Sequence, residues 1–340
     1  MRKLLVLLLV LTGLWSGYWY VGSNAVRQGA EDWFAQAATQ GLQAENSALS
    51  VVGFPNRFDL NLEGLRLRDP ASGIGWQAPF LQVFAMTWKP WHIIAALPPE
   101  QVVTLPDQEI ILTADRLRAS FRARPATEVP LAAMIVESGP FTARSTEGWM
   151  AGASRAVVSI SADEEVLGAG DQPNAYVLSL TLSDLAPDPE ALARIADEAG
   201  LPLQIATVRL VATATLTAPL DRFAGQTNPQ LAGLTLTDSL IAWGDLAVTA
   251  QGSIAPDDQG FAAGRIEISV ANYQRLVPAL VAAGVIKPEI RQTVDNMLAA
   301  LARETGDPNL IRLPLLLQDG RVSFGPLPLG RAPRLIGPTG

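Results

Sequence analysis

The side chains that most often carry catalysis are scarce in this sequence. His92 is its single histidine and it has no cysteine, which excludes multi-histidine metal sites, thiol nucleophiles and zinc–thiolate sites. His92 lies between Trp91 and Ile93, and no neighbouring side chain is placed to orient it as a general base. We therefore interpret His92 as a structural or surface histidine.

Two glycine-containing segments have the residue types of functional loops without the required context. Residues 152–156, Gly-Ala-Ser-Arg-Ala, resemble a nucleophile elbow, but that motif needs a helix after the serine and a strand is predicted there. Residues 73–78 fit the GxGxxA pattern of dinucleotide binding. Pro79 and the strand pattern after it exclude the helix that such a site needs. Neither segment predicts a cofactor.

The acidic residues do not form a metal site either. The clusters 163–165 and 257–258 lack the spaced ligands and the late glutamate of a calcium loop, and we interpret both as solvated turns. Arg57 and Asp59 lie two residues apart on one face of a predicted strand, and a structural ion pair is favoured over a catalytic pair. The sequence therefore predicts no catalytic residue, no cofactor and no metal, and a protein that is not an enzyme.

One segment, residues 115–124, has side chains suited to binding an anion. As a strand it would carry apolar residues on one face and four arginines on the other, because successive side chains alternate. Arginine forms paired hydrogen bonds with phosphate groups, so one hypothesis is contact with anionic lipid headgroups. The alternative is a half-exposed antiparallel strand. The four arginines are Arg116, Arg118, Arg122 and Arg124.

The N-terminal segment is directed to a membrane. The apolar run 4–21 is long enough to cross a bilayer core as a helix. Two basic residues precede it and predict that the N-terminus lies in the cytoplasm. Aromatic residues near its end fit a membrane-interface belt and favour a retained anchor. The small residues 23–25 leave cleavage after Ala25 as the alternative. The belt residues are Trp15, Tyr18, Trp19 and Tyr20.

The composition indicates a folded body with no general affinity for nucleic acid. Hydrophobic residues make up 49% of the 340 residues and charged residues only 17%, which is not the composition of a disordered chain. The net charge is −8, whereas a nucleic-acid binder needs a basic footprint.

Period-two alternation dominates after a helical pattern over residues 24–44. Apolar residues alternate from Phe58 to Leu62, and the alternation changes parity after Gly64, which predicts a β-bulge. Helical patterns return only within 272–304 and at 187–199, where Asp188-Pro189 marks the start of a helix and Gly200 its end. Strand patterns from residue 155 onward cover 155–161, 175–183, 205–217, 231–237, 240–254, 261–270 and 310–324. Strands at 246–254 and 264–270, joined by a turn and followed by a helix, predict an antiparallel unit. The tail beyond Gly325 is predicted to be irregular.

Two motifs stand out near the ends of the predicted body: Gly-Phe-Pro-Asn-Arg-Phe-Asp at residues 53–59 and the glycine- and proline-rich segment 320–330. They resemble the motifs of the DUF2125 family of alphaproteobacterial envelope proteins. Residues 76–79 and 88–90 resemble the strands after the family's opening signature, and residues 320–330 resemble its C-terminal pattern. The resemblance covers nearly the whole chain and implies a relationship to AsmA-like proteins. Those have a membrane anchor and long curved antiparallel sheets, and some larger relatives carry lipid in a hydrophobic groove. The signature residues are Gly53, Phe54, Pro55, Arg57, Phe58 and Asp59.

Together these patterns predict a mostly β (α+β) protein with a curved, groove-like antiparallel sheet and a few packed helices after one transmembrane helix. The predicted parts are an anchor at 1–22, a membrane-proximal helix at 23–45 and a β-rich domain at 46–340. Two halves of that domain, 46–185 and 205–340, are joined by a short helix.

The expected function is non-enzymatic. Either the protein binds membrane lipid in a hydrophobic groove and supports envelope organisation, or it is a scaffold that binds another envelope protein; an envelope hydrolase is the least favoured alternative. The expected location is the inner membrane of a Gram-negative bacterium, with a single span and the body in the periplasm. Nucleic acid is not an expected partner.

Overall fold

A computed structural model describes residues 2–162, 174–324 and 327–335. In this part of the chain the protein is mostly antiparallel β with a few helices and an apolar N-terminal helix, as predicted. The acidic cluster 163–165 lies outside the described residues, as do residues 325–326 of the C-terminal pattern.

The described helices and strands are numbered in chain order. The helices α1 to α5 are Arg2–Thr39, Pro189–Ala199, Ala224–Thr227, Leu276–Ala282 and Arg291–Thr305. Single 3₁₀ turns, Tyr273–Arg275 and Pro288–Ile290, precede α4 and α5. The strands β1 to β10 are Gln43–Glu45, Ala48–Val52, Arg57–Arg68, Gly75–Met86, Lys89–Ala96, Glu100–Thr104, Glu109–Ala114, Arg118–Ala123, Leu131–Ser138 and Phe141–Ser145. The strands β11 to β20 are Met150–Ala153, Arg155–Ala162, Ala175–Leu185, Ile205–Leu216, Leu231–Trp243, Leu246–Pro256, Ala262–Ala271, Leu310–Gln318, Arg321–Phe324 and Leu327–Arg331.

The chain folds into two compact units. The N-terminal unit contains residues 1–125 and 136–149, and the C-terminal unit contains residues 126–135 and 150–340. This division differs from the predicted halves, because β11, β12 and β13 belong to the C-terminal unit. Strand β9 has residues in both.

Helix α1 is continuous through the apolar run and the segment after it, so the predicted anchor and membrane-proximal helix form one element. It is long and apolar enough to cross a membrane, and its leucines from Leu4 to Leu14 are exposed. Further along, α1 packs on β1, β2 and β3, and Ala37 is buried there. The helix ends just before Gly41, which has a φ of +84°.

Strand β3 organises the sheet of the N-terminal unit, where it pairs with β1, β2 and β4. The register with β4 is the same on both sides of Gly64. The extra residue that defines a β-bulge is therefore absent, and the predicted bulge is wrong. Gly64 instead adopts a φ of +57°, and the buried face changes there from Leu62 to Leu65.

The C-terminal unit contains an antiparallel meander in which every strand from β12 to β20 pairs with the next one. The predicted strand–turn–strand unit is present as β16 and β17. The Asp257 carboxylate accepts hydrogen bonds from the backbone N–H groups of Gln259 and Phe261 in the turn between them. The tail is less irregular than predicted, since β20 pairs with β19.

Helix α2 has the predicted ends. The Asp188 carboxylate accepts hydrogen bonds from the N–H groups of Glu190 and Ala191, and Gly200 ends the helix with a φ of +63°. The bond from Ala191 lowers the pKa of Asp188 below its ordinary value.

The core of the C-terminal unit lies where α2, α4 and α5 pack on one face of the meander. Val277 of α4 and Leu298 of α5 are buried there with Leu246, Val270 and Ile311 of the strands. The helices therefore cover one end of that face, around β16, β17 and β18.

Candidate functional site

The predicted aromatic belt fastens α1 to two loops of the N-terminal unit. The indole N–H of Trp15 donates to the carbonyl of Pro55 (3.0 Å), and that of Trp19 donates to the carbonyl of Arg57 (2.8 Å). The Tyr18 hydroxyl donates to the carbonyl of Thr87 (2.7 Å) in the turn between β4 and β5. Tyr20, the fourth belt residue, is exposed.

Phe58 of the signature is the apolar centre of this contact. Its ring lies 6.5 Å from that of Tyr18 and 6.4 Å from that of Trp19, between ring centres, and it is buried. A Cβ at Gly22 would collide with the Phe58 ring. The absence of a side chain at Gly22 therefore lets α1 approach the start of β3.

The other signature residues hold the chain as it enters β3. Arg57 and Asp59 form an ion pair with Nη2 and Oδ2 2.7 Å apart, in which Asp59 is buried and Arg57 is half-exposed. Gly53 has a φ of +105°, and a Cβ there would lie 3.0 Å from the Asp59 carboxylate. The signature residues therefore have a structural role: they form a tight loop, bury the Asp59 carboxylate and contact α1.

A small pocket of about 290 Å³ lies beside this contact, between the start of β3 and the ends of β4 and β5. The ring nitrogen Nε2 of His92, on β5, is 3.2 Å from the Ser120 hydroxyl of β8. The pocket combines an apolar floor with basic groups at its rim. Its lining residues are Arg57, Phe84, Ala85, Met86, Lys89, His92 and Ile94.

The four predicted arginines do not all lie on one strand. Arg118 and Arg122 lie on β8, where Arg122 is opposite His92 on β5. Arg116 precedes the strand with a φ of +51° and pairs with Asp115, and Arg124 follows the strand. The structure therefore brings two of the four to the face that carries the pocket.

The meander of the C-terminal unit has one apolar and one polar face. A row of directly opposed residues crosses eight strands on the apolar face, and the next row crosses the same strands on the polar face. The apolar row is Ile160, Leu178, Ala212, Leu236, Gly252, Ile266, Leu315 and Phe324. The polar-face row is Ser161, Val177, Thr213, Thr235, Ser253, Arg265, Leu316 and Ser323.

The helices leave part of the apolar face open among the described residues. Val158, Leu210 and Ile241 retain 48%, 40% and 41% of their accessible surface. These residues lie on β12, β14 and β15, away from the strands that carry the helices. The polar face instead borders an open cavity of about 700 Å³ that includes Arg265 and Arg312.

Comparison with known proteins identifies the family. A family model described as an uncharacterized protein conserved in bacteria, DUF2125, matches residues 19–333. The chain belongs to the DUF2125 family. No curated protein and no solved structure matches it.

In this DUF2125 chain the other sequence candidates lie in ordinary structural settings. Ser154 is followed by strand β12 and not by a helix, so it does not lie in the strand–turn–helix of a nucleophile elbow. Its hydroxyl donates to the Asp184 carboxylate (2.6 Å). Gly75 of the GxGxxA segment begins β4 instead of a helix. The described residues contain no group of three side chains that could hold a metal ion.

Two further carboxylates have shifted pKa values, and neither indicates catalysis. The Ser72 hydroxyl donates to Asp69 and lowers the pKa of that side chain. The Thr127 hydroxyl likewise lowers the pKa of Glu128. Asp69 is half-buried just after β3, and Glu128 is an exposed turn residue, whereas a catalytic acid needs a raised pKa in a cleft.

Sequence reasoning missed the glycine that makes the helix contact possible. Gly22 directly follows the apolar run 4–21, and that run indicated a membrane span and an aromatic belt but no packed face. A small residue one turn after Trp19 is the signal that could have identified a packed helix face.

Proposed function

We propose that this DUF2125 protein is a non-enzymatic, membrane-anchored protein of the bacterial envelope that binds lipid and supports envelope organisation. Its acyl-chain site is the open part of the apolar sheet face in the C-terminal unit. The body lies on the periplasmic side of the inner membrane, and α1 crosses that membrane.

The apolar face is the observation that carries the proposal. A soluble antiparallel sheet normally has one core face and one hydrated face, and an extended apolar face that is left open marks a binding surface. An acyl chain suits such a face because it has no polar groups that need hydrogen-bond partners. Each CH₂ group that it buries contributes about 0.8 kcal/mol to the binding free energy.

The helix contact supports a retained anchor. Cleavage after Ala25 would remove Trp15, Tyr18 and Trp19, whose hydrogen bonds hold the signature loop and the β4–β5 turn. The family match also begins at residue 19, within the segment that cleavage would remove.

The test uses the full-length protein in detergent micelles and a fluorescent phospholipid. The variant Val158→Asn/Leu210→Asn places two amides on the open apolar face. The matched control, Ser159→Asn/Val211→Asn, makes the same change one residue along on the same two strands, where side chains lie on the polar face. Native mass spectrometry of the purified proteins measures co-purified phospholipid in parallel.

We expect the apolar-face variant to lose most of the bound phospholipid, at least tenfold in affinity, while the control binds like the wild type. Equal binding by both variants would overturn acyl-chain capture by this face. Wild-type protein that carries no lipid but cross-links to one stable protein partner would favour the scaffold function.

A further inference from the structure

The rim of the pocket beside the signature carries positive charge without matching carboxylates. The charge of Arg57 is compensated by Asp59. Lys89 and Arg122 are exposed, and neither belongs to an ion pair among the described residues. Because Arg122 lies opposite His92 on the adjacent strand, its side chain shares the face on which the pocket opens.

The same pocket is bonded to the helix that enters the membrane. Arg57, which lines it, accepts the hydrogen bond from Trp19, and Thr87, between the lining residues Met86 and Lys89, accepts the bond from Tyr18. The apolar run ends only two residues beyond Trp19, which is about 3 Å along a helix. With α1 across a membrane, as proposed above, the pocket would lie at the level where acyl chains give way to headgroups.

Exposed apolar side chains surround the pocket at this level. Trp88 and Phe54 retain 57% and 55% of their accessible surface, and Met86 is also exposed. Large apolar side chains next to basic ones are the pattern of a surface that sits in the boundary between headgroups and acyl chains. In that position the pocket would face phosphate groups and the exposed side chains would contact lipid.

We propose that this pocket binds the headgroup phosphate of an anionic phospholipid in the membrane that α1 crosses. Lys89 and Arg122 supply the charge, the free donors of Arg57 supply hydrogen bonds, and Phe84 and Ile94 contact the glycerol and upper acyl region. The proposal shares the membrane anchor with the proposed function. It does not depend on acyl-chain capture by the C-terminal unit.

The experiment titrates full-length protein in neutral detergent micelles with dioleoyl phosphatidylglycerol or dioleoyl phosphatidylcholine, and native mass spectrometry counts the bound lipids. We expect the wild type to prefer phosphatidylglycerol. The variant Lys89→Gln/Arg122→Gln is expected to lose about 25-fold in affinity for it, at about fivefold for each cation near an anionic surface, with no change for phosphatidylcholine.

Two controls separate this site from net charge and from the proposed function. Lys287→Gln/Arg303→Gln removes the same charge from exposed positions in the C-terminal unit, and we expect it to bind like the wild type. Val158→Asn/Leu210→Asn is expected to keep the preference for phosphatidylglycerol even where it loses acyl-chain binding. Circular dichroism verifies that each variant is folded. We expect Lys89→Gln/Arg122→Gln to fold, because both side chains are exposed.

Three results would overturn the headgroup site. The first is an unchanged affinity in Lys89→Gln/Arg122→Gln, and the second is an equal loss in the charge-matched control. The third is competition by inorganic phosphate at the concentrations where phosphatidylglycerol binds, because that would indicate a site for a free anion.

Discussion

Replacing Gly22 by alanine is expected to destabilise the N-terminal unit, although alanine is the better helix former. The new Cβ would lie 2.9 Å from Cε1 and 3.3 Å from Cε2 of Phe58 and would collide with the end of the ring. Carbon atoms in good contact are about 3.5–4.0 Å apart, so the ring or the helix must move by roughly 1 Å. The ring is confined between Tyr18 and Trp19, and we expect the helix to move.

The expected cost follows from the bonds that such a movement breaks. The bonds from Tyr18 to Thr87 and from Trp19 to Arg57 are 2.7 and 2.8 Å long, and an extra 1 Å takes both beyond hydrogen-bonding distance. Each is worth about 1 kcal/mol, whereas alanine gains about 1 kcal/mol over glycine as a helix former. Together with an overpacking cost of about 1–3 kcal/mol, these terms give an expected net loss of about 2–4 kcal/mol.

Amide hydrogen exchange of the full-length protein in micelles measures this loss, because peptides covering residues 53–63 report the free energy of local opening. Gly13→Ala and Gly17→Ala are matched controls in the same helix, since a Cβ at either position meets nothing within 4 Å. We expect both controls to keep wild-type protection of residues 53–63. Protection in Gly22→Ala that equals that of Gly17→Ala would refute the packing account.

Two further predictions concern the C-terminal unit. Hydrogen bonds, chiefly from the Ala191 N–H, lower the pKa of Asp188 in the folded state; the resulting stabilisation is present above the ordinary aspartate pKa of about 3.9 and is lost as the pH falls through the lower folded-state pKa. Urea unfolding should therefore show a stability advantage of the wild type over Asp188→Asn at pH 6 that shrinks in strong acid, and a constant difference would contradict this. Gly252→Ala is expected to lose at least about 1–3 kcal/mol of stability from backbone strain at its φ of +150°. A steric collision adds to this loss, because the new Cβ would meet the backbone oxygen of Arg265 and lie 2.8 Å from the Cα of Ile266. Gly233→Ala, where a Cβ meets nothing within 4 Å, is the control, and equal urea midpoints for the two would count against the strain.

Local patterns were sufficient for most of the fold. Alternation identified the strands of the meander, and Asp188 with Gly200 marked both ends of α2, because a cap and a left-handed glycine act within one turn of the chain. The strands β1, β2, β5, β10 and β11 were not predicted. Four of them have only three to five residues, too few for a period of two to be recognised. Strand β5 is longer, but its apolar residues Ile93 and Ile94 are consecutive and do not alternate with polar ones.

The change in alternation at Gly64 shows where prediction from local sequence fails. The same change in alternation arises from an extra residue or from a left-handed glycine, and only the register with β4 distinguishes them. The arginine segment failed in a related way. Arg116 and Arg118 have the same parity, but the left-handed φ of Arg116 takes it out of the strand.

The sequence by itself determined the apolar N-terminal helix, the mostly β body and the family signature, because each depends on residues that are close in the chain. Only the tertiary structure decided which residues of these parts contact one another. It turned three residues of the aromatic belt into hydrogen-bond donors for carbonyls 38 to 69 residues away, and it placed Gly22 against Phe58. It also lined one pocket with Arg57, Lys89 and His92 and placed Arg122 on the adjacent strand, opposite His92. Strand pairing aligned single alternating positions into one apolar face across eight strands. Such contacts join residues far apart in the chain, and their register is set by packing, which no local pattern encodes.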